Sequence, residues 1–286
     1  MANSYPYKKW MSETPYIDRL SIGEIVWPGA HNSGVDRDFS YPPHIAVISN
    51  WVVCQDGPFI QQLNEGVRAL DLRFHSDEHW MGIKKFHTFH GPATGRSLSE
   101  LIKSLNYFLD ENPDEFIILD MHELKALKDG AFDYKTFNTV IMNELGLRLI
   151  PKGNKHLTLA ELKKLSNKQR IVLAAEWHPD FNSPLYWGGI SHEWSGTDIT
   201  SPNELKQHIA RTLQSPPSGP MPWSLSATSY GELAGVKRIS TELNEWFGPT
   251  SGWAPKCSII NVDFFGDSSL IDYCQELNMS KGLTKR

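Results

Sequence analysis

The sequence is poor in cysteine, lacks long apolar runs and carries no excess of basic charge. Its three cysteines, Cys54, Cys257 and Cys274, show no Cys-x-x-Cys spacing, so neither a zinc site nor a disulfide framework is predicted. Whether Cys257 and Cys274 pair is left open. No apolar stretch approaches the roughly 18 residues of a membrane-spanning helix. The 28 Lys and Arg residues against 33 Asp and Glu residues exclude a basic nucleic-acid-binding protein.

What remains is an ordinary globular composition, with 40% hydrophobic and 21% charged residues. A chain of 286 residues can form one large α/β domain, and we predict a single catalytic barrel domain over residues 1–286. Met1 to Tyr5 lack the charged start and apolar core of a secretory signal. We therefore expect either an intracellular protein or a mature form with a new initiating Met.

Apolar, strand-like runs alternate with helical patterns along the whole chain. Capping boxes predict the starts of three helices, because Ser97, Thr158 and Ser201 each precede a glutamate by three residues. Strands that alternate with helices predict a parallel sheet, most economically a single (β/α)8-like TIM barrel, regular or distorted. The predicted strands cover 24–28, 67–74, 81–89, 116–122, 170–177, 221–228 and 257–265, with a weaker candidate over 186–194.

Polar side chains follow the ends of these runs, where the catalytic groups of a barrel lie. His31 follows the first run and His90 follows the third, while Asp71 and Arg73 alternate in the second and so share one face of a strand. Two imidazoles beside an acid and a guanidinium can perform acid–base chemistry on a phosphate ester. Further strand-end candidates are Asp120, His122, Glu123, Glu176, Trp177 and Asp263.

Three motifs in this order carry a family resemblance: Pro28-Gly29-Ala30-His31-Asn32-Ser33, Arg68-Ala69-Leu70-Asp71-Leu72-Arg73 and His90-Gly91-Pro92. They resemble the X-domain signature of the phosphatidylinositol-specific phospholipases C, with spacing similar to that of the small bacterial enzymes. The segment 109–119 is similar to the family's junction between a helix and strand four. The resemblance is specific over residues 24–123, and later only the segment 259–264 resembles the family's last strand.

The resemblance implies a distorted (β/α) barrel that cleaves phosphatidylinositol by intramolecular attack. The products are diacylglycerol and inositol 1,2-cyclic phosphate. It implies His31 as general base, His90 as general acid and Asp263 as the carboxylate that orients His31. Arg73 would stabilise charge on the phosphoryl oxygens, or form a salt bridge to Asp71, or do both. Imidazoles suit both proton transfers because their reference pKa is about 6.5.

The metal requirement is predicted from the positions at which this chain departs from the family's pattern. Gram-positive members are implied to be metal-independent, with an Arg on strand two and a Lys ending strand four, whereas eukaryotic members bind calcium and carry an Asn after the first His. This chain combines Asn32 with Arg73 and has no such Lys. Because carboxylates replace positive charge, we predict calcium, with no cofactor as the alternative. The predicted ligands are Asn32, Asp71 and one or both of Asp120 and Glu123, whereas His122 is disfavoured because calcium prefers oxygen.

Substrate contacts are predicted less directly. Glu176 and Trp177 would contact the inositol ring, and Trp51 and Trp223 are either anchors at a membrane surface or buried residues. The resemblance implies a secreted enzyme that acts on phosphatidylinositol in membranes by peripheral contact, with no protein partner.

Two rival functions remain. A glycerophosphodiester phosphodiesterase would show His-Arg-Gly after the first strand, where this chain has His31-Asn32-Ser33. A catalytically silent barrel that binds inositol lipids is the other rival, and the presence of both histidines argues against it.

Overall fold

A computed structural model describes residues 5–78, 84–127 and 130–285 of the chain. In these residues, seven parallel strands form one curved sheet, and a β-hairpin pairs with one of its inner strands. The strands are, in chain order, β1 (Trp27–Ala30), β2 (Ala69–Glu78), β3 (Lys84–His90), β4 (Ala93–Ser97), β5 (Ile117–Ala126), β6 (Ile171–Ala175), β7 (Ser191–Glu193), β8 (Trp223–Ser226), β9 (Tyr230–Gly231), β10 (Gly235–Val236) and β11 (Ile259–Val262).

The predicted capping boxes are confirmed. Ser97, Thr158 and Ser201 each accept a hydrogen bond from the backbone N–H of the glutamate three residues on, and each begins a helix. Within the described residues, no helix is long and apolar enough to cross a membrane. The α-helices are α1 (Trp10–Glu13), α2 (Pro43–Ala46), α3 (Ser49–Val52), α4 (Phe59–Asn64), α5 (Leu98–Glu111), α6 (Tyr134–Leu145), α7 (Leu159–Leu165), α8 (Pro202–Thr212), α9 (Ser240–Phe247) and α10 (Leu270–Thr284).

The parallel strands are ordered β6-β5-β2-β1-β11-β8-β7, and every neighbouring pair in this order runs parallel. The two end strands do not pair with each other in the described part of the chain. Instead, Tyr186 forms a bridge to Leu173 of β6. The sheet is therefore a distorted (β/α) barrel with an incomplete seam, and the predicted fold class is confirmed.

The predicted strand over 81–89 is wrong as a barrel strand, and part of it, 81–83, lies outside the described residues. In the structure β3 runs antiparallel to β2, and β4 runs antiparallel to β3. The physical reason is chain length: a parallel crossover needs a dozen or more residues, and too few separate β2 from β3. β2 is ten residues long, so its second half projects beyond the barrel and pairs with the returning strand.

The barrel core is built from near-continuous apolar strands, as expected for parallel strands that are covered on both faces. All five residues of β6 are buried, and α5 buries Leu101, Leu105 and Phe108 against the sheet. At the amino end of the barrel, fully buried Arg68 donates to Glu115 through Nε and Nη2, at 2.9 and 2.7 Å. This motif arginine is structural, because it lies at the start of β2, opposite the strand ends that carry the polar candidates.

Strand register decides which candidates become neighbours. Ala30, the last residue of β1, lies opposite Val262 on one side and Leu70 on the other. The next residues along these three strands are His31, Asp263 and Asp71. Asp71 in turn lies opposite Asp120 of β5. The carboxyl ends of four strands therefore meet at one mouth of the barrel, as predicted.

Candidate active site

His31 lies in the centre of this mouth and contacts polar groups through both ring nitrogens. Nδ1 donates to Asp263 Oδ1 at 2.8 Å, because a carboxylate can only accept. Nε2 lies 3.0 Å from Arg73 Nη2 and 3.3 Å from Asn32 Nδ2, both of which are donors. Since Nδ1 carries the proton, Nε2 presents a lone pair, the form that a general base needs.

His90 faces His31 at the end of β3. Its Nδ1 lies 2.8 Å from the Val52 carbonyl oxygen, which fixes the proton on Nδ1 and leaves Nε2 as the other exchangeable position. Burial, followed by the charges of His31 and Arg73, lowers the pKa of His90 to about 3. The substrate-free ring is therefore neutral at pH 7.

The two imidazoles are adjacent. Their ring centroids lie 5.9 Å apart at 83°, and the phenol of Tyr230 lies 6.5 Å from one ring and 6.3 Å from the other. Burial raises the pKa of Tyr230 well above its ordinary value, so this hydroxyl stays protonated. The antiparallel hairpin that was not predicted is what returns His90 from the far end of β2 to the mouth.

Arg73 and Asp71 form an ion pair beside His31. Arg73 Nη2 lies 3.3 Å from Asp71 Oδ2, and Asn261 Nδ2 donates to the same oxygen at 3.3 Å. Burial opposes ionisation of Asp71, but Arg73, followed by His122 and His31, outweighs it, so its pKa lies well below the usual range. Within the described residues, Arg73 Nε is buried and has no hydrogen-bond partner. This donor is free for an anionic ligand.

A second pair of histidines flanks the acidic strand ends. His122 Nδ1 lies 3.1 Å from Asp71 Oδ1, and His192 Nε2 lies 2.8 Å from Asp120 Oδ2. The two rings stack with centroids 3.7 Å apart. Burial lowers the pKa of His192, but the Asp120 carboxylate outweighs burial and the net shift is upward. Each buried acid at this edge therefore has its own histidine partner.

The four predicted calcium ligands have other partners in the described residues. Asp71 is occupied by Arg73 and two further donors, and Asp120 by His192. Glu123 pairs instead with Lys125 at 3.3 Å, and its side chain is about half exposed. The Asn32 side-chain amide lies 3.3 Å from His31 Nε2. Arg73 already pairs with Asp71, so calcium bound at this carboxylate would face a positive charge, and the calcium site stays a prediction.

The predicted inositol contacts lie farther out. Glu176 and Trp177 follow β6 and are exposed, Trp177 by 76%. In the described part of the chain, neither forms a hydrogen bond or ion pair with the two imidazoles. The two predicted membrane anchors differ in exposure. Trp223, the first residue of β8, is buried, which contradicts a surface role. Trp51 on α3 is 37% exposed.

Backbone strain marks both sides of the His31–Asp263 pair. Asn32, directly after His31, has φ +44°, and Phe264, directly after Asp263, has φ +48°. The left-handed region is uncommon for residues other than Gly, and for a bulky residue it is a true outlier. The Phe264 backbone N–H donates to the Cys54 carbonyl at 2.8 Å, which helps to hold this turn. The strained turns point the imidazole and the carboxylate at each other.

Four residues of the site were not predicted: Cys54, Tyr230, His192 and Asn261. Cys54 Sγ lies 3.4 Å from His90 Nδ1 and 3.7 Å from the Tyr230 hydroxyl. Three of the four lie on short segments without a strong periodic pattern. Asn261 was detectable, since it is a polar residue inside an otherwise apolar strand next to Asp263.

With this geometry in hand, known proteins can be compared. No protein-family model matches the chain. It is 26% identical over 208 residues to a 1-phosphatidylinositol phosphodiesterase of Listeria monocytogenes, a match that covers 72% of this chain and 58% of that protein. It is also 26% identical over 225 residues to the human PI-PLC X domain-containing protein 2, covering 71% of each.

Among solved structures, a phosphatidylinositol-specific phospholipase C of Staphylococcus aureus superposes with a TM-score of 0.70. At 19% identity it covers 96% of this chain and 98% of that one, which establishes the fold. The resemblance predicted from the sequence is therefore confirmed: in sequence and in fold, the chain is similar to the phosphatidylinositol-specific phospholipases C of the X-domain type.

Proposed function

We propose that this protein is a phosphatidylinositol-specific phospholipase C, built as a single catalytic barrel. The single observation that carries the proposal is the pair of facing imidazoles, 5.9 Å apart, beside a partly buried arginine whose buried Nε has no partner in the described residues. A phosphodiester with a neighbouring hydroxyl needs one proton removed and another supplied, and a positive charge for the phosphoryl oxygens. The mouth of this barrel holds one group for each task.

In the proposed reaction, His31 Nε2 takes the proton of the inositol 2-hydroxyl. The 2-oxygen then attacks phosphorus, and the bond from phosphorus to the glycerol oxygen breaks. The Asp263 carboxylate, at 2.8 Å from Nδ1, stabilises the imidazolium that forms. Because Arg73 lies 3.0 Å from Nε2 without substrate, the guanidinium must turn toward the phosphate before His31 can act as a base.

His90 is proposed to protonate the departing glycerol oxygen. Its pKa of about 3 without substrate is too low for an acid at neutral pH. An anionic diester between the rings would raise this pKa, since a nearby negative charge favours the protonated imidazole. The Val52 carbonyl, which accepts from Nδ1 at 2.8 Å, would stabilise the same cation. His90 would therefore become an acid only when substrate is present.

Arg73, rather than a bound cation, is proposed to neutralise the phosphoryl charge. The guanidinium is within reach of His31 and is held by Asp71, so it needs little reorganisation to contact a phosphate placed between the imidazoles. Calcium at Asp71 would face this fixed positive charge. Full activity in excess chelator is the expected result, and loss of activity that calcium restores would favour the original prediction.

Peripheral contact with a phosphatidylinositol membrane is proposed through an apolar rim beside the mouth, formed by residues 43–53 and 230–236. Val47 is 83% exposed and Leu233 97% exposed, with Trp51 nearby on α3. The two segments pack together, since a Cβ atom at Gly235 would lie 2.1 Å from the Asn50 carbonyl oxygen. Exposed apolar side chains next to a lipid-cleaving site favour insertion into an interface. A secreted location remains a prediction from the family resemblance.

The test is the release of inositol cyclic phosphate from phosphatidylinositol vesicles. His31→Ala and His90→Ala should each lower turnover by more than about 100-fold, because each removes a proton transfer typically worth about 10² to 10⁴ in rate. Exposed His156→Ala is the matched control and should keep full activity.

A loss of less than roughly tenfold in either variant would contradict the assigned roles. An inactive wild-type protein that still binds inositol lipid would identify the silent barrel instead. Product from glycerophosphodiesters but none from phosphatidylinositol would favour the other rival.

A further inference from the structure

His31 forms a cluster with two neighbouring side chains, one of which has no part in the proposed reaction. A ring nitrogen of His31, Cys54 Sγ and a carboxylate oxygen of Asp263 all lie within 4.8 Å of one another. Cys54 is fully buried, and His31 and Asp263 are buried with 6% and 7% exposure. The residues come from three separate segments, after β1, before α4 and after β11, so sequence spacing could not reveal the cluster.

One atom of the cluster lacks the partner that a buried charge requires. Asp263 Oδ1 is bonded to His31, but Oδ2 is buried and has no hydrogen-bond partner within the described residues. A buried carboxylate oxygen without a donor is costly and calls for an explanation, such as a bound ion. This oxygen belongs to Asp263, a member of the same cluster.

The donor set selects a particular class of cation. Thiolate and imidazole are soft and borderline ligands, which favour zinc and its neighbours over calcium or magnesium. Cysteine, histidine and aspartate are all common zinc ligands in proteins, and three protein ligands leave one position open. A separation below 4.8 Å allows all three atoms to reach one ion with small side-chain movements.

Charge balance also favours this position over the acids near Arg73. On binding, Cys54 would lose its proton to solvent, and its thiolate together with the Asp263 carboxylate would neutralise a divalent cation. Arg73, whose Nη2 lies 3.0 Å from His31 Nε2, would then face a neutral cluster rather than an uncompensated ion. At Asp71, by contrast, the same guanidinium would repel a hard cation directly.

We propose that Cys54, His31 and Asp263 form a binding site for a thiophilic divalent cation of the Zn²⁺ type, and that its occupancy inhibits the enzyme. The cation would bind Nδ1 of His31, the nitrogen next to Asp263, so that the ring proton would move from Nδ1 to Nε2, and it would compete with His31 for Asp263. No ring nitrogen of His31 is then free to accept a proton. The inhibitory half of this inference rests on the proposed function, whereas the binding half does not.

Metal binding is tested on the purified full chain after removal of bound metal with a chelator. Co²⁺, a spectroscopic substitute for Zn²⁺, should produce a thiolate-to-cobalt charge-transfer band that saturates at one equivalent. The band should vanish in Cys54→Ser and persist in Cys257→Ser, whose thiol is also buried but lies elsewhere. Zn²⁺ affinity, measured by competition with a chromophoric chelator, should weaken at least about tenfold in Cys54→Ser, because even supporting contacts are worth about 10- to 100-fold.

Circular dichroism checks that the serine variant is folded, and Cys54→Ala replaces it if it is not. A wild-type protein without the band, or a band that survives in Cys54→Ser, overturns the site.

Inhibition is measured in Zn²⁺-buffered vesicle assays, with each variant compared with its own metal-free rate. The wild type and Cys257→Ser should lose activity over the same Zn²⁺ range that fills the site, and Cys54→Ser should keep its metal-free rate. Binding without loss of activity overturns the inhibitory half and leaves the proposed function intact. A wild type that binds Co²⁺ but is inactive both without metal and with added Ca²⁺ contradicts the proposed function and leaves the site standing.

Discussion

Asp263 is the residue on which the orientation of His31 depends. Asp263→Asn keeps the size of the side chain but removes the negative charge that stabilises the imidazolium and permits the wrong tautomer of His31. We expect kcat to fall by about 100-fold or more, with KM changed far less, because the charge matters most when His31 is protonated. Exposed Asp198→Asn is the control. A lower kcat accompanied by a clear fall in the free energy of unfolding would show a structural role instead.

His90 should make the fold sensitive to acid. Its folded pKa, lowered to about 3 by burial and then by His31, lies below the unfolded value of about 6.5. As pH falls from about 6.5 toward 3, the unfolded chain binds a proton that native His90 does not, so stability present above this range is progressively lost. The contribution is at most about 1.4 kcal/mol per pH unit.

Urea unfolding between about pH 7 and pH 4 measures this effect. His90→Asn should show a shallower pH dependence than the wild type. Part of the slope should remain, because burial, followed by His87, also lowers the pKa of His75, to about 4. Identical slopes in the two proteins would contradict the assignment.

At the scale of elements, the hairpin β3–β4 packs on the loop that follows His31 without room for a side chain. A Cβ atom at Gly95 would lie 2.2 Å from the Gly34 carbonyl oxygen, and the Thr88 hydroxyl donates to that oxygen at 2.9 Å. This contact sets the position of the hairpin, which carries His90, relative to His31. Gly95→Ala should therefore reduce stability by about 1–3 kcal/mol through overpacking.

The matched control for this change is Gly146→Ala. Gly146 has helical backbone angles, φ −51° and ψ −37°, and nothing lies within 4 Å of a Cβ atom placed there. Its substitution should be neutral or stabilise the protein by about 0.4–1 kcal/mol, because the unfolded chain loses freedom. The unfolding free energy in urea compares the two variants, and equal stabilities would refute the close contact.

The same hairpin shows where pattern-based prediction of elements succeeds and fails. The capping boxes at Ser97, Thr158 and Ser201 were located from sequence because a cap depends on residues three positions apart. The direction of β3 was not, because alternation of side chains is the same in parallel and antiparallel strands. Only the length of the link between β2 and β3 distinguishes the two arrangements.

For the whole molecule, the apolar rim should decide membrane association. Leu233→Asp places a charge where the hydrophobic side chain is 97% exposed, and it should reduce co-sedimentation with phosphatidylinositol vesicles by about tenfold while leaving the fold intact. Leu147→Asp is the control: Leu147 is 77% exposed and lies near Leu149, which bridges to the first residue of β6 at the amino end of the barrel. Equal losses in both variants would argue against a specific membrane-facing surface.

The sequence by itself determined the barrel class, the helix starts and the strand ends that carry His31, Asp71, Arg73, His90 and Asp263. These follow from local periodicity, capping and motifs, which neighbouring residues specify. Only the tertiary structure decided which polar groups became partners: His122 with Asp71, and Cys54 and Tyr230 beside His90. The physical reason is that such contacts join segments distant in the chain, so they depend on strand register and loop packing, which no local pattern encodes.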